Sequence, residues 1–508
     1  MQVKKLKTIL TAVAINNIIG DINKEISGLA YDSRKVKKDD LFFCINGFKA
    51  DGHAFALKAQ EAGATAVVVE RTLPKVTITQ IVVNNTREAM AKIASAFFDY
   101  PTRKLKLIGI TGTNGKTTTS YMIESVMSAA GYKTGMLGTV EYRIGSEKIP
   151  VDRTTPESLD LQEFFARMVD AGVDAAVIEV SSHAIDLLRV EACEFDVVVF
   201  TNLSRDHLDY HGTIEEYFEV KKRIFDKRSC APKQAVGKAT NRNASRGPHQ
   251  VINIDDEYGR KLIQRGEGKQ LRYSLKDKTE VYASGIMLRA DGSAVKIHTG
   301  SGTVDVDLKM PGLYNISNAL AAAGVSIALG IDLEKIKVGL ERLGSVPGRF
   351  ERVDTGQEFT VIVDYAHTPD SLEKVLSAAR QLTEGRLITL FGCCGDRDKG
   401  KRPMMGRIAA ELSDHVIITS DNPRSEDPRE IIMEIKNGIE ENLLRRCEIE
   451  ADRRNAIAMA LEGAQKDDFV VIAGKGHEQG QEIAGEKIPF DDVQIAKELL
   501  GGMVKWSR

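Results

Sequence analysis

No stretch of this 508-residue sequence approaches the roughly 18 uncharged apolar residues that a membrane-spanning helix needs, so no part of it is expected to cross a membrane. Basic charge is not in excess either. The 70 Lys and Arg face 72 Asp and Glu, a net charge of −2, which excludes the broad positive field of a nucleic-acid binder. Any anionic ligand must be held by a local device. The six cysteines, Cys44, Cys193, Cys230, Cys393, Cys394 and Cys447, form no C-x-x-C pair and no disulfide-like framework, as expected of reduced thiols in a cytoplasmic protein. Internal repeats and low-complexity tracts are absent. The opening MQVKKLKTILTAVA is basic and then apolar. Its apolar run is short and lacks a small-residue cleavage site, so it reads as structure and not as a signal peptide.

What is present is an ordinary globular composition, 42% hydrophobic and 28% charged, in a chain long enough for about three domains. Its most informative stretch is KLKLIGITGTNGKTTTS, residues 104–120. An apolar β-branched run feeds a glycine turn that ends in Gly115-Lys116-Thr117, and a helix-forming segment follows. A strand, a glycine loop and a helix N-terminus make a phosphate cradle, because backbone N–H groups and the helix dipole both favour an anion. Lys116 supplies a point charge for the β/γ-phosphates, and the Thr117 hydroxyl can ligate Mg²⁺. The common phosphate-loop pattern wants a glycine where this chain has Ile110, so the match is to the shorter form TGTNGKTT, residues 111–118.

The chain divides into three α/β units by pattern. Residues 1–100 combine a helical HAFALKAQEAGA with strand-like TAVVVE and QIVVNN and a closing helix near 87–98, before a linker at Pro101. Residues 101–345 hold the phosphate loop and the apolar strands DAAVIEV and FDVVVFTNL, which predict a mainly parallel sheet covered on both faces. From 281 to 310 the period changes to two, with turn signals at Asp291-Gly292 and Ser301-Gly302, which predicts appended antiparallel strands. NISNALAAAGVSIALG reads as a helix ending at Gly330, and 232–250 as a surface excursion. Residues 346–508 alternate FTVIVDY, RLITLFG, HVIITS and FVVIAG with helical stretches, a Rossmann-like doubly wound unit. Polar clusters follow each of these strands, at 364–367, 392–399, 421–424 and 474–478, where ligands bind in open α/β sheets.

Three features of the central unit point to metal-assisted phosphate chemistry. Glu179 ends a buried strand in EVSSH, a natural place for a Mg²⁺ ligand. TNLSRDHLDYHG, residues 201–212, carries two histidines and two aspartates in six positions. A Mg²⁺ or Mn²⁺ site shared with a triphosphate suits this set better than structural zinc, and Asp209 and His211 can equally serve as capping or supporting groups. The helix YFEVKKRIF carries Lys221 and Lys222, which taken alone read as a solvated basic face.

In order and spacing, TGTNGKTT, EVSSHA, NLSRDHLDYHG and the Lys221 helix resemble the Mur ligase family. So do the later GLYNISNALAA, PGRFE, VDYAHTPDSL, GDRDKGKRP, SDNPRSEDP and AGKGHE. The resemblance covers nearly the whole chain, and SDNPR with GKGHE is similar to the members that add diaminopimelate. It implies ATP and Mg²⁺ as cofactors and a carbamate on Lys221. The helix lysine is placed at Lys221 by counting from HxDxHG, and a carbamate there reverses a charge that would repel Mg²⁺. It implies nucleotide contacts from Thr111, Gly112, Thr113, Asn114, Gly115, Lys116, Thr117, Asn315, Asn318 and Arg349. Metal ligation is implied for Thr117, Glu179, His207 and Lys221, and Lys116, Glu179, His207, Lys221 and Asp364 are implied as catalytic. Ser33, Phe48, Lys49 and Ala50 would hold the uridine diphosphate sugar. Thr154, Thr155, Ser181 and Arg189 would reach the peptide. Arg397, Asp421, Asn422, Pro423, Arg424, Gly474 and Glu478 would form the amino-acid pocket, with Arg424 pairing with a distal carboxylate.

The reaction so implied joins meso-diaminopimelate to UDP-N-acetylmuramoyl-L-alanyl-D-glutamate through an acyl phosphate, in a monomeric cytoplasmic enzyme. Four departures stand out: Leu187-Leu188 where a Gln-His pair is frequent, Cys394 where glycine is usual, Gln479-Gly480 after GHE, and the 232–250 stretch. Alternatives stay open. A lysine-adding ligase is disfavoured by DNPR, a folylpolyglutamate synthetase by the N-terminal DSRKV…DGH unit, and an ATPase switch by the joint presence of the metal loop, the Lys221 helix and the pocket.

Overall fold

The computed structural model describes residues 3–47, 50–151, 153–226, 247–263, 269–289 and 291–506. Three sheets, one per predicted unit, organise the chain. The N-terminal sheet has the strand order Asn17–Ile19, Thr79–Val82, Ala66–Val69, Asp40–Phe43, Gly28–Ala30, parallel except at its Asn17–Ile19 edge. The helix Thr86–Phe97 covers one face. Asn85 starts it by accepting from Arg87 N and Glu88 N at 2.9 and 3.0 Å, the groups that a first helical turn leaves unpaired. At the exit to the central domain Asp99 and Tyr100 both adopt left-handed backbone, φ +57° and +51°, before a short turn at Pro101–Arg103.

Among the described residues the central sheet has eleven strands. Thr134–Leu137, Ala175–Glu179, Lys106–Thr111, Val197–Phe200, His249–Asn253, Gln270–Ser274 and Val281–Arg289 run parallel. Gly292–Thr299 and Gly302–Leu308 extend one edge antiparallel, as the period-two pattern predicts. Alternation along the phosphate-loop strand explains its composition. Leu105 and Leu107 enter one core, and Ile108 and Ile110 the other, all at 1% exposure or less. Each buried side chain contributes roughly 1.5–3 kcal/mol. Gly109 is bare because a Cβ there would lie 2.5 Å from the Phe195 ring. The 232–250 expectation needs correction: residues 227–246 lie outside the described set, but His249 and Gln250 begin a parallel strand with a buried interior, not a surface excursion.

The C-terminal sheet follows the order Glu351–Val353, Thr360–Asp364, Phe469–Ala473, Leu387–Phe391, His415–Ile418, Cys447–Ile449. All neighbours are parallel except the first pair. Val361, Val363, Ile388 and Leu390 pack into one core and Ile362, Leu387 and Phe391 into the other, so helices cover both faces. The carboxyl end of the strand Thr360–Asp364 reaches the cavity that the phosphate loop lines.

Candidate functional site

The phosphate loop is shaped by what surrounds it. Gly112 has φ +147° and Gly115 +85°, and a Cβ on them would meet Thr201 Oγ1 at 1.9 Å and Asn318 Oδ1 at 2.5 Å. The segment after Val197–Phe200 braces the loop. Thr113 N donates to Asn202 O at 2.8 Å, Asn114 N to Asn202 Oδ1 at 2.9 Å, and Thr201 Oγ1 to Asn114 O at 2.7 Å. Lys116 folds back, its ammonium donating to Gly112 O at 2.9 Å and Thr113 O at 2.8 Å. Burial lowers its pKa. Asn318 accepts from Thr119 Oγ1 at 3.3 Å, and Asn315 lies behind it, donating to Pro311 O at 2.7 Å.

Glu179 is 1% exposed. It accepts from Thr117 Oγ1 at 3.1 Å, Thr139 N at 2.9 Å and Thr139 Oγ1 at 3.0 Å. Gly138 makes room for it, since a Cβ there would lie 2.5 Å from Glu179 Oε1.

Lys221 is buried, which corrects the solvated-face reading; Lys222 takes the outer side and pairs with Glu219. The Lys221 amine donates to Gly112 O at 3.0 Å and lies 4.6 Å from the Tyr217 ring centre. Among the described residues no carboxylate pairs with it. Burial, then repulsion from Lys116, pushes its pKa well down.

His207 has left-handed backbone, φ +56°, and its Nε2 is 3.3 Å from Asp206 Oδ2. Burial lowers its pKa to about 3. Burial pushes Asp206 the other way, but attraction to His207, His367, Lys401 and Lys116 outweighs it and holds the carboxyl at about 2. His211 is held by Ser182 Oγ at 2.8 Å and stacks on Tyr217, whereas Asp209 is exposed, so neither lies among the groups around Glu179. Among the described residues, no three His, Cys, Asp or Glu side chains form a metal-ligand set by themselves.

The third domain closes over this loop. Arg349 donates to Thr117 Oγ1 at 3.0 Å, with its guanidinium 4.5 Å from the Tyr365 ring centre. Asp364 accepts from Phe350 N at 2.6 Å and Ala366 N at 2.8 Å, and burial raises its pKa to about 6. Asn114 donates to Asp370 at 2.6 Å, and His477 Nε2 meets Thr139 O at 3.2 Å. Between the domains lies a cavity of about 690 Å³, lined by Lys116, Thr117, Glu179, Asn318, Arg349 and Asp364, among others.

Beside it, Thr155 Oγ1 donates to Glu179 O at 2.8 Å and accepts from Ser181 N at 3.1 Å, while Arg189 donates to Thr155 O at 3.0 Å. Thr154 reaches Thr139 at 3.3 Å, so the four residues expected to reach the peptide are together. Glu157 gathers Arg87, Arg153 and Arg189 at this junction with the N-terminal domain. Ser33 is half-buried and Ala50 exposed; Phe48 and Lys49 lie outside the described residues.

The strand ends of the C-terminal sheet form a second polar cluster. Asp421 is buried, and burial raises its pKa. Asn422 donates to Glu478 at 2.8 Å, and Lys475 donates to Asn422 Oδ1, Glu478 and Gly480 O at 3.0, 3.2 and 2.7 Å. Gly474 is needed beside Asp421, where a Cβ would meet Oδ2 at 2.8 Å. Arg424 reaches Gly395 O at 3.1 Å. Arg397 is exposed, donates to its neighbour Asp396 O, and contacts none of these groups. Sequence reasoning missed Thr139, Asp370 and His477, which meet the site only through tertiary contacts. It also missed Lys475, whose place inside GKGHE was a usable signal.

Three family models match the chain: "Mur ligase family, catalytic domain" over residues 25–98, "Mur ligase middle domain" over 110–326, and "Mur ligase, glutamate ligase domain" over 348–476. A UDP-N-acetylmuramoyl-L-alanyl-D-glutamate–2,6-diaminopimelate ligase from Caldanaerobacter subterraneus is 46% identical, over 96% of this chain and 97% of its own. Another so named, from Clostridium acetobutylicum, is 45% identical over 98% and 99%. A solved structure of a ligase of that name superposes with a TM-score of 0.68 at 31% identity, covering 99% of both chains.

Proposed function

The chain belongs to the Mur ligase family and is an ATP-dependent amide-forming ligase, and we propose that it joins meso-2,6-diaminopimelate to UDP-N-acetylmuramoyl-L-alanyl-D-glutamate in peptidoglycan precursor synthesis. The observation that carries this reading is the cavity itself, where Lys116, Thr117 and Glu179 of one domain face Arg349 and Asp364 of another. Residues 1–100 would hold the nucleotide sugar, 101–345 ATP, and 346–508 the amino acid.

On this reading the substrate γ-carboxylate attacks the γ-phosphorus of ATP, the bond to the β,γ-bridging oxygen breaks, and ADP leaves behind an acyl phosphate. Lys116 leaves the loop carbonyls to pair with the phosphates, and Arg349 follows them from the third domain. Thr154, Thr155, Ser181 and Arg189 orient the peptide. Arg424 offers a bidentate fork to the distal carboxylate of diaminopimelate, and Glu478 a partner for its ammonium. The amine then attacks the acyl carbon, its nitrogen loses a proton, and inorganic phosphate leaves the tetrahedral intermediate to give the amide, while the closed domains keep water from the acyl phosphate.

The residues fit a magnesium ion: Thr117 Oγ1 and Glu179 Oε2 are hard oxygens 3.1 Å apart. Phosphate oxygens and a carbamate on Lys221 would complete the ligand set. Bound there, the ions would neutralise charge on the transferring phosphoryl group. We place the enzyme in the cytoplasm as a monomer. No helix among the described residues is long and apolar enough to cross a membrane.

The test is phosphate release with ATP, Mg²⁺ and the nucleotide-sugar dipeptide, with meso-diaminopimelate or L-lysine as the amine. Turnover with diaminopimelate alone is expected. Equal turnover with lysine refutes the role of Arg424, and release without either substrate refutes the ligase reading.

A further inference from the structure

A β-hairpin outside the main sheets braces the loop that carries Arg424. Its strands Gly480–Ile483 and Glu486–Pro489 are joined at Ala484 and Gly485, both left-handed at φ +50° and +84°, a tight two-residue turn. The inner strand runs along residues 421–424. Gln481 donates to Asp421 O at 2.6 Å, and Glu482 N to Asn422 Oδ1 at 2.9 Å. Arg424 N donates to Glu482 O at 3.0 Å, and Ala484 N to Arg424 O at 2.7 Å.

These last two bonds explain a conformation that Arg424 would not adopt alone. Its φ is +54°, strained for a residue with a side chain, and glycine there would lose the guanidinium. On the loop's other side, Gly395 N donates to Asn422 O at 2.9 Å and Ser425 Oγ to Asp396 at 2.6 Å.

The guanidinium is aimed as well. Glu482 Oε2 takes the Nε edge at 3.3 Å, and Gly395 O takes one NH1 hydrogen at 3.1 Å. Among the described residues NH2 has no acceptor, so the guanidinium keeps donors for a ligand. Glu482 engages only Nε and so leaves the NH2 donors to a ligand.

We propose that the 480–489 hairpin, through Glu482, is a positioning element that aims Arg424 at the distal carboxylate and so sets the preference for a dicarboxylic diamino acid. The inference rests on the reading of Arg424 given above. Its test measures KM and kcat for meso-diaminopimelate, ATP and the nucleotide-sugar dipeptide in Glu482→Ala, Glu482→Gln and Arg424→Ala.

Glu482→Ala is expected to raise the diaminopimelate KM roughly tenfold, as for one charge-assisted hydrogen bond lost near the surface, with kcat within about twofold. Glu482→Gln keeps an acceptor for Nε and is expected to restore the KM to within about threefold of the native value. The other two KM values are expected to stay unchanged. A diaminopimelate KM unaffected in Glu482→Ala, with a large rise in Arg424→Ala, overturns the inference alone. A parallel rise in all three KM values shows a general structural role and also overturns it. An Arg424→Ala enzyme with native diaminopimelate KM overturns the underlying reading, and the inference with it.

Discussion

Replacing Gly112 by alanine tests the geometry of the phosphate loop. The new methyl would lie 1.9 Å from Thr201 Oγ1 and 3.0 Å from Asn202 O, at φ +147°. Neither neighbour can step aside freely, because Thr201 Oγ1 donates to Asn114 O at 2.7 Å and Asn202 O accepts from Thr113 N at 2.8 Å. The loop must therefore move away from the segment that braces it. Overpacking costs about 1–3 kcal/mol, and holding a side-chain residue in this backbone region about another 1 kcal/mol. A total near 3 kcal/mol corresponds to a fall of about 6–12 °C in the melting temperature of a domain this size.

Turnover should suffer more than stability. Gly112 O accepts from both Lys116 and Lys221, so a displacement of about 1 Å misplaces two nitrogens at once and is expected to cost about 100-fold in kcat. Scanning calorimetry and steady-state phosphate release measure the two effects. Adding Thr201→Ala removes the clashing oxygen and should return about half of the lost stability. Melting within about 2 °C of native for Gly112→Ala refutes the steric argument, and so does purely additive destabilisation in the double variant.

Glu179→Gln keeps the shape but removes the charge; it is expected to fold normally and lose about 100-fold or more in Mg²⁺-dependent turnover, read from a Mg²⁺ titration. Carbon-13 NMR with labelled bicarbonate should show a carbamate resonance that is absent in Lys221→Arg, because a guanidinium stays charged and unreactive. Asp364 supplies a pH dependence: its native pKa is about 6 against an ordinary value of 3.8, so between these values the folded protein binds the extra proton. Its ionised form opposes folding above pH 6, and stability attributable to it should rise as pH falls from 7 towards 4, by up to about 3 kcal/mol. Denaturant melts of native protein and Asp364→Asn across that range check the sign, and equal slopes would reject it.

The phosphate loop and the two large sheets were legible in the sequence because these are local patterns: a glycine turn after a β-branched strand, and strands of continuous apolar character. The sequence also held a signal that was under-read. Tyr217, Phe218, Lys221, Ile224 and Phe225 form one helical stripe, and all five are buried. Lys221 therefore occupies an apolar face, which its spacing already implied. Contacts made only by folding were not legible. Thr139 ends no recognisable motif, and His477 and Asp370 act across a domain junction. The short strands Gly28–Ala30 and Cys447–Ile449 lack the length that makes periodicity readable.

The carbonyl of Gly112, shared by the nitrogens of Lys116 and Lys221, has a thermodynamic consequence. The loop's own backbone oxygens already take up the Lys116 ammonium. Nucleotide binding is thus an exchange of partners for Lys116 and not the capture of a free charge. The heat released on binding is the difference between two sets of contacts, which moderates affinity for ATP and ADP alike.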